Sequence, residues 1–269
     1  MTHGRLSDSM WSMSRKPRRC PGGLAYHVMN RATARETIFA GDGDYAAFER
    51  VLAEAREREA GRIRVCAYAL MPNHFHLVLW PQSGEDEAVS GLMKWLTLTH
   101  AQRWHAHRHT AGTGALYGSR FKSFPVREDW HFLKVCRYVE RNPLRANPFD
   151  KLRAGLVERA ELWPWCSLNK RLAARHAAEP PVVAETPEEP VPPGAAELLD
   201  EWPVSEPPDW LYRVNAADTA GELEALRRCV RRGRPYGDEE WVMRTADRLG
   251  LSSSLRPPGR PRKKAKPSD

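Results

Sequence analysis

The 269-residue sequence predicts an α+β fold, a ferredoxin-like β-α-β-β-α-β antiparallel sheet with helices on one face. Three observations predict it. Alternating apolar runs begin at Gly22, Arg62, His74 and Ser119; two stretches of helical period separate them; and the order is strand, helix, strand, strand, helix, strand. The other face of such a sheet is free to hold a site.

The first strand is Gly22 to Arg31, "GGLAYHVMNR", with a glycine start and alternation. From Asp44 the period changes, Tyr45, Phe48, Leu52 and Ala55 recurring at helical spacing, with Gly61 suited to the C-cap. Arg62 to Leu70 and His74 to Trp80 read as two strands joined by a Met-Pro-Asn turn. A helix follows from about Asp86 to His105, with Leu92, Trp95, Leu96 and Thr99 on one side. "SRFKSFPVR", Ser119 to Arg127, is the fourth strand, with basic residues between aromatics. Asp129 to Asn142 is predicted as a further helix, capped by Asp129 and ended by Asn142-Pro143. Phe132, Val135, Cys136 and Val139 form its apolar stripe, while Lys134, Tyr138 and Asn142 recur every four residues on another face.

Outside this unit the composition shifts. Residues 1–19 read as a flexible N-terminus, and 20–178 as the main domain. Residues 179–209 hold nine acidic residues, nine prolines and no Lys or Arg, which predicts an extended, mostly disordered linker. Residues 210–250 carry two short helical patterns, Leu223 to Arg232 and Asp238 to Leu249, around "GRPYG" and read as a small DNA-binding-like extension. Residues 251–269 close as a basic tail.

A formal charge of +8 favours an anionic partner, nucleic acid being the commonest. No run of eighteen apolar residues is present, so no membrane span is expected. The polar, basic N-terminus lacks the apolar core of a secretory signal, and five scattered cysteines without a C-x-x-C fit reduced thiols and no zinc site. These features predict a cytoplasmic, nucleoid-associated protein.

The chemistry lies in "YALMPNHFHLVLW", Tyr68 to Trp80. Strand alternation turns Phe75, Leu77 and Leu79 to a core and leaves His74 and His76 side by side on the opposite face. An isolated H-x-H is more often structural than not. Asn142 adds a candidate amide oxygen from the following helix. Two imidazoles and an amide oxygen leave a divalent ion with open positions for phosphate oxygens. Tyr138, one turn before Asn142, then stands as the candidate nucleophile, and covalent attack would conserve the phosphodiester energy in a phosphotyrosine.

A histidine-apolar-histidine strand followed by a helix bearing Tyr-x-x-x-Asn resembles the signature of the single-tyrosine HUH transposases of the IS200-like superfamily. "GGLAYHVMNR", "YALMPNHFHLVL", "SRFKSFPV" and "CRYVERNPLRAN" resemble the branch associated with repetitive extragenic palindromes (REP), from about Cys20 to Leu168. "RPYGDEEWVMRTADRLGL" resumes the likeness. The resemblance implies a metal-dependent DNA strand-transferase that cuts single-stranded DNA at palindromic hairpins through Tyr138. It implies a 5′-phosphotyrosine intermediate, and magnesium or manganese held by His74, His76 and Asn142. A homodimer stays open. Two departures stand out: Gly118-Ser119 replaces an expected Gln-Gly pair, and an extra octapeptide, roughly Pro148 to Gly155, follows the tyrosine helix.

Candidate DNA contacts are Arg31, Arg120, Lys122 and Lys134, with Arg260 and Arg262 in a tail that resembles an AT-hook. Phe121 and Phe124 are read equally as DNA-stacking rings or as core. His100, His105, His107 and His109 read as a solvated, weakly basic surface. Two rival functions remain, a catalytically silent DNA-binding regulator derived from this family and a hydrolytic HxH metal phosphoesterase that needs no tyrosine.

Overall fold

A computed structural model describes residues 19–145, 155–178 and 198–256. Strands β1 (Ala25–Arg31), β2 (Ile63–Met71), β3 (His74–Pro81) and β4 (Lys122–Val126) form one antiparallel sheet in the order β2-β3-β1-β4. That is the ferredoxin-like order. Helices α1 (Asp42–Arg58) and α2 (Ala88–Arg108) cover one face, where Phe48, Leu52, Leu92 and Leu96 bury against Tyr26, Val28, Phe75, Leu77 and Leu79.

Helix α3 (Trp130–Glu140) covers the other face. Its apolar stripe, Phe132, Val135, Cys136 and Val139, lies against Ala25, Ala67, Ala69, Val78 and Phe124. Three alanines on the strands let the helix come close to the sheet. Asp129 caps it by accepting from the His131 N–H at 2.7 Å. The helix stops two residues sooner than its pattern suggests, because Asn142-Pro143-Leu144 tightens into a 3-10 turn.

Met71 pairs with His74, so Pro72 and Asn73 alone make the hairpin turn. The Pro72 carbonyl accepts from Ile38 and Phe39, and the Asn73 carbonyl from Ala32, which clamps the tip that bears the histidines.

The predicted linker is shorter than its composition implies. Residues 179–197 lie outside the described residues, but 198–209 are packed on the sheet edge. A bulge between Val65 and Ala67 turns backbone groups of β2 outward. Asp200 accepts from Val65 N at 2.8 Å and pairs with Arg56 at 2.6 Å, and Trp202 Nε1 donates to the Cys66 carbonyl at 2.7 Å. Trp202 also meets Phe132 and Trp210 edge-on. Here Asp200 and Glu206 answer specific donors, Glu206 pairing with Arg175 at 2.7 Å.

Helix α4 (Ser167–Ala178) follows the β2 edge, and the extension is made of α5 (Trp210–Asn215), α6 (Ala220–Arg232) and α7 (Glu239–Arg248). Trp210, Val214, Leu226 and Cys229 enter the same core as α3. The extension thus shares an interior with the sheet and α3. Tyr236 pairs with Pro125 and Arg127 on the free edge of β4. Both sheet edges are covered.

Most of the octapeptide lies outside the described residues, but its flanks meet, Leu156 N donating to the Pro143 carbonyl at 2.7 Å. Removing Pro148 to Gly155 is expected to leave the circular dichroism spectrum and the thermal midpoint nearly unchanged, since its ends already touch. Trp202→Ala is expected to cost about 2–3 kcal/mol, read from urea unfolding, through lost packing against Phe132 and Trp210 and the loss of one of the two hydrogen bonds to the Cys66 carbonyl, the other coming from Arg171. An unchanged midpoint would return residues 198–209 to the status of a linker.

Candidate active site

The face of the sheet under α3 brings four predicted residues together. His74 opens β3 and His76 lies two residues on, their ring centroids 5.0 Å apart. Tyr138 reaches down from α3 and meets His76 edge-on at 6.0 Å. Asn142, at the start of the 3-10 turn, donates through Nδ2 to the Tyr138 carbonyl at 3.1 Å. Tyr138, Asn142 and His76 are all buried.

A fifth member was missed. His27 of β1 is 1% exposed, and its Nε2 lies 2.8 Å from His76 Nδ1. Its ring stacks on Phe124 at 4.8 Å and meets Tyr138 edge-on at 6.0 Å. The signal was present in "YHVMNR", because His27 alternates onto the same face as Ala25 and Met29. Only the pairing of β1 beside β3 makes it a neighbour of His76.

Burial holds these imidazoles neutral. It pushes His27 down to about 3; burial, then the Arg31 charge, takes His74 to about 3 as well. His76 is driven well below the usual range by burial, then by His27, His74, Arg145 and Arg31. Neutral nitrogen is the form that binds a metal. His74 Nδ1 contacts Asn73 Oδ1 at 2.7 Å, while Asn73 Nδ2 donates to the Arg35 carbonyl. An acceptor at that place fixes the proton on Nδ1 and leaves the His74 Nε2 lone pair for a ligand. At His76 the same result requires Nδ1–H to donate to His27 Nε2. His27 is therefore the group that can select the tautomer of His76.

The donor set, two neutral imidazoles and the Asn142 oxygen, fits a divalent cation. Among the described residues no cluster of three His, Cys, Asp or Glu side chains is arranged to hold one. Asn142 Oδ1 accepts from Arg145 Nη1 at 3.1 Å. Burial raises the Tyr138 phenol, and the charges of Arg145, Arg227 and Arg31 oppose that rise.

The candidate DNA contacts divide. Arg31 pairs in register with His74, and Lys122 with Met29, which itself pairs with His76, so both stand at the level of the site. Arg120 lies in the loop before β4. Lys134 is ion-paired with Glu222 of α6 at 2.8 Å and lies over Trp130, which gives it a structural task. Arg260 and Arg262 lie outside the described residues. Phe124 is core. His100 is also core and not surface: it is buried between Phe39 and Phe48, bonded to the Tyr117 hydroxyl at 2.7 Å, and burial pushes it down to about 4.

Residues 22–142 match the family model described as transposase IS200-like. The match spans the sheet, both covering helices and the tyrosine helix. Two solved structures are similar to the chain. A REP-associated tyrosine transposase bound to a REP hairpin shares 17% identity over 66% of this chain and 99% of its own, with a TM-score of 0.43. A protein of Deinococcus radiodurans R1, provisionally assigned as a transposase, shares 19% over 52% of this chain and 96% of its own, with a TM-score of 0.31. No curated protein sequence matches. Among the described residues, no helix is long and apolar enough to cross a membrane.

His27→Phe preserves the ring and its stacking on Phe124 but removes the partner of His76. Manganese affinity, measured by calorimetry, is expected to fall at least tenfold with the fold intact. Unchanged affinity would reduce His27 to packing.

Proposed function

We propose that the protein is a metal-dependent DNA strand-transferase that cuts and rejoins single-stranded DNA at palindromic, REP-like hairpins through Tyr138. The observation that carries this reading is the edge-on approach of Tyr138 to His76, across the sheet face that holds His74 and His27. The family match over residues 22–142 supports the reaction class, and the motif phrases quoted above support the hairpin substrate.

Bound magnesium or manganese would draw charge from the phosphodiester and orient it for in-line attack. His74, His76 and Asn142 would hold it. Tyr138 is kept in place by its helix, by the Arg145 guanidinium 4.1 Å above its ring, and by the sheet below. In the attack its oxygen bonds to phosphorus while the bond to the 3′-oxygen breaks. The phenolic proton ends on that oxygen, giving a free 3′-hydroxyl and a 5′-phosphotyrosine. Because burial favours the neutral phenol, the proton leaves during attack and not before it. Reversal with a second 3′-hydroxyl rejoins the strand. Such a protein acts at the nucleoid.

Incubation with labelled hairpin DNA and manganese is expected to give an SDS-resistant protein–DNA adduct that Tyr138→Phe abolishes. An adduct that survives the substitution overturns the nucleophile. His76→Ala is expected to remove cleavage and keep most DNA affinity, because phosphate contacts come chiefly from Lys and Arg. Tight binding with no adduct in the unmodified protein would favour the silent regulator, and cleavage without an adduct the hydrolytic phosphoesterase.

A further inference from the structure

Arg145 ends the turn after α3 with an unusual set of contacts. Its Nη1 donates to the Tyr138 carbonyl at 2.9 Å and to Asn142 Oδ1, and its Nη2 pairs with Asp218 at 2.9 Å. Its Nε is buried with no hydrogen-bond partner. Arg31, opposite His74 at the end of β1, has a buried and unpartnered Nε too. An unsatisfied buried donor is destabilising, and more so when charged, so two of them beside one site point to an acceptor supplied by a ligand.

Charge points the same way. Arg137, Arg141 and Arg145 all converge on Asp218, three guanidiniums against one carboxylate. Arg137 and Arg141 also donate to the carbonyls of Arg213, Val214, Asn215 and Ala216, which fastens the end of α5. Arg145 has no such carbonyl from the extension. The Lys134–Glu222 pair lays α6 beside α3, and Arg227 of α6 is exposed with no ion pair among the described residues. The charges of Arg145, Arg227 and Arg31 all act on Tyr138.

We propose that Arg31, Arg145 and Arg227 form a cradle for the phosphodiester attacked by Tyr138, so that α6 of the C-terminal extension completes the active site. This rests on the reading of Tyr138 as nucleophile. The two non-bridging oxygens of a phosphodiester supply the acceptors that both Nε atoms lack. Asp218 is then a positioning residue, which holds the Arg145 fork over the tyrosine. The matched transposase domain ends at Asn142, so two of the three arginines lie beyond it.

The test uses the full chain carrying Tyr138→Phe, which cannot form an adduct, and fluorescein-labelled single-stranded DNA of random sequence. Anisotropy is followed across a salt series. Arg145→Ala and Arg227→Ala are each expected to weaken binding about tenfold and to flatten the log–log salt slope by about 0.7. Arg244→Ala, an exposed α7 residue paired with Glu240, is expected to change neither. Arg145→Ala risks loosening the Asp218 cluster, but Arg227 is exposed and its truncation leaves the fold alone. Parental affinity and slope in Arg227→Ala overturn the cradle, as does a loss no larger than that of Arg244→Ala. The adduct assay on the unmodified protein is separate: its failure, with these affinity losses intact, overturns the nucleophile and leaves the anion cradle standing.

Discussion

The site depends on where α3 rests on the sheet. The Tyr138 ring meets His76 only because it arrives at that height, and the height is set by the residues beneath the helix. Ala25, Ala67 and Ala69 give the strands a shallow surface, into which Phe132, Val135 and Val139 settle. A larger side chain at any of these alanines would lift the helix, and a close-packed interior transmits such a shift directly. The helix is fixed from above as well. Glu140, fully buried one turn past Cys136, accepts from Ser167 Oγ at 2.6 Å and from Trp210 Nε1 at 2.7 Å, which ties α3 to α4 and α5 together. Burial raises that carboxyl, and the hydrogen bond from Ser167, the Arg171 charge and the hydrogen bond from Trp210 oppose the rise.

The same logic explains why the extension and the sheet unit share a core. Asp218, 7% exposed at its side chain, gathers three arginines spaced four residues apart along the tyrosine helix and the turn after it. Losing the carboxylate would leave three cations crowded together, while losing one arginine leaves the rest still paired. Asp218 is therefore a keystone for the extension, and the acidic Glu222 and Asp238 repeat its role at Lys134 and Arg127. The acidic residues that make the C-terminal third look solvated are, at these places, partners for the basic face of α3.

Strand order, the histidine pair and the tyrosine helix were legible because each is encoded locally. Alternation places His74 and His76 on one face, and a four-residue period stacks Tyr138 over Asn142. What the sequence hid is what depends on non-local pairing. His27 and His76 are 49 residues apart and meet only because β1 inserts between β3 and β4. Lys134 carried the marks of a DNA contact, yet Glu222, far along the chain, claims it. Residues 198–209 had a disordered composition, but Asp200 and Trp202 answer two backbone groups freed by a bulge that no pattern in β2 announces. His100 was misjudged for the opposite reason: three neighbouring histidines suggested a surface, while its own position on the helix faces Phe39 and Phe48.

Sheet register then sets the proton as well as the fold. His27 pairs with Val78, so it lies diagonally from His76 on the face beneath Tyr138, a separation that an imidazole can bridge. A shift of β1 by one residue would send His27 to the opposite face and leave the His76 Nδ1 without a partner. His76 could then adopt either tautomer, and only one presents Nε2 as a lone pair. The clamped hairpin tip and the covered edges of β2 and β4 oppose such slippage from both sides of the sheet. A neutral, singly oriented His76 follows from strand pairing that the distant segments 198–202 and 236 help to secure.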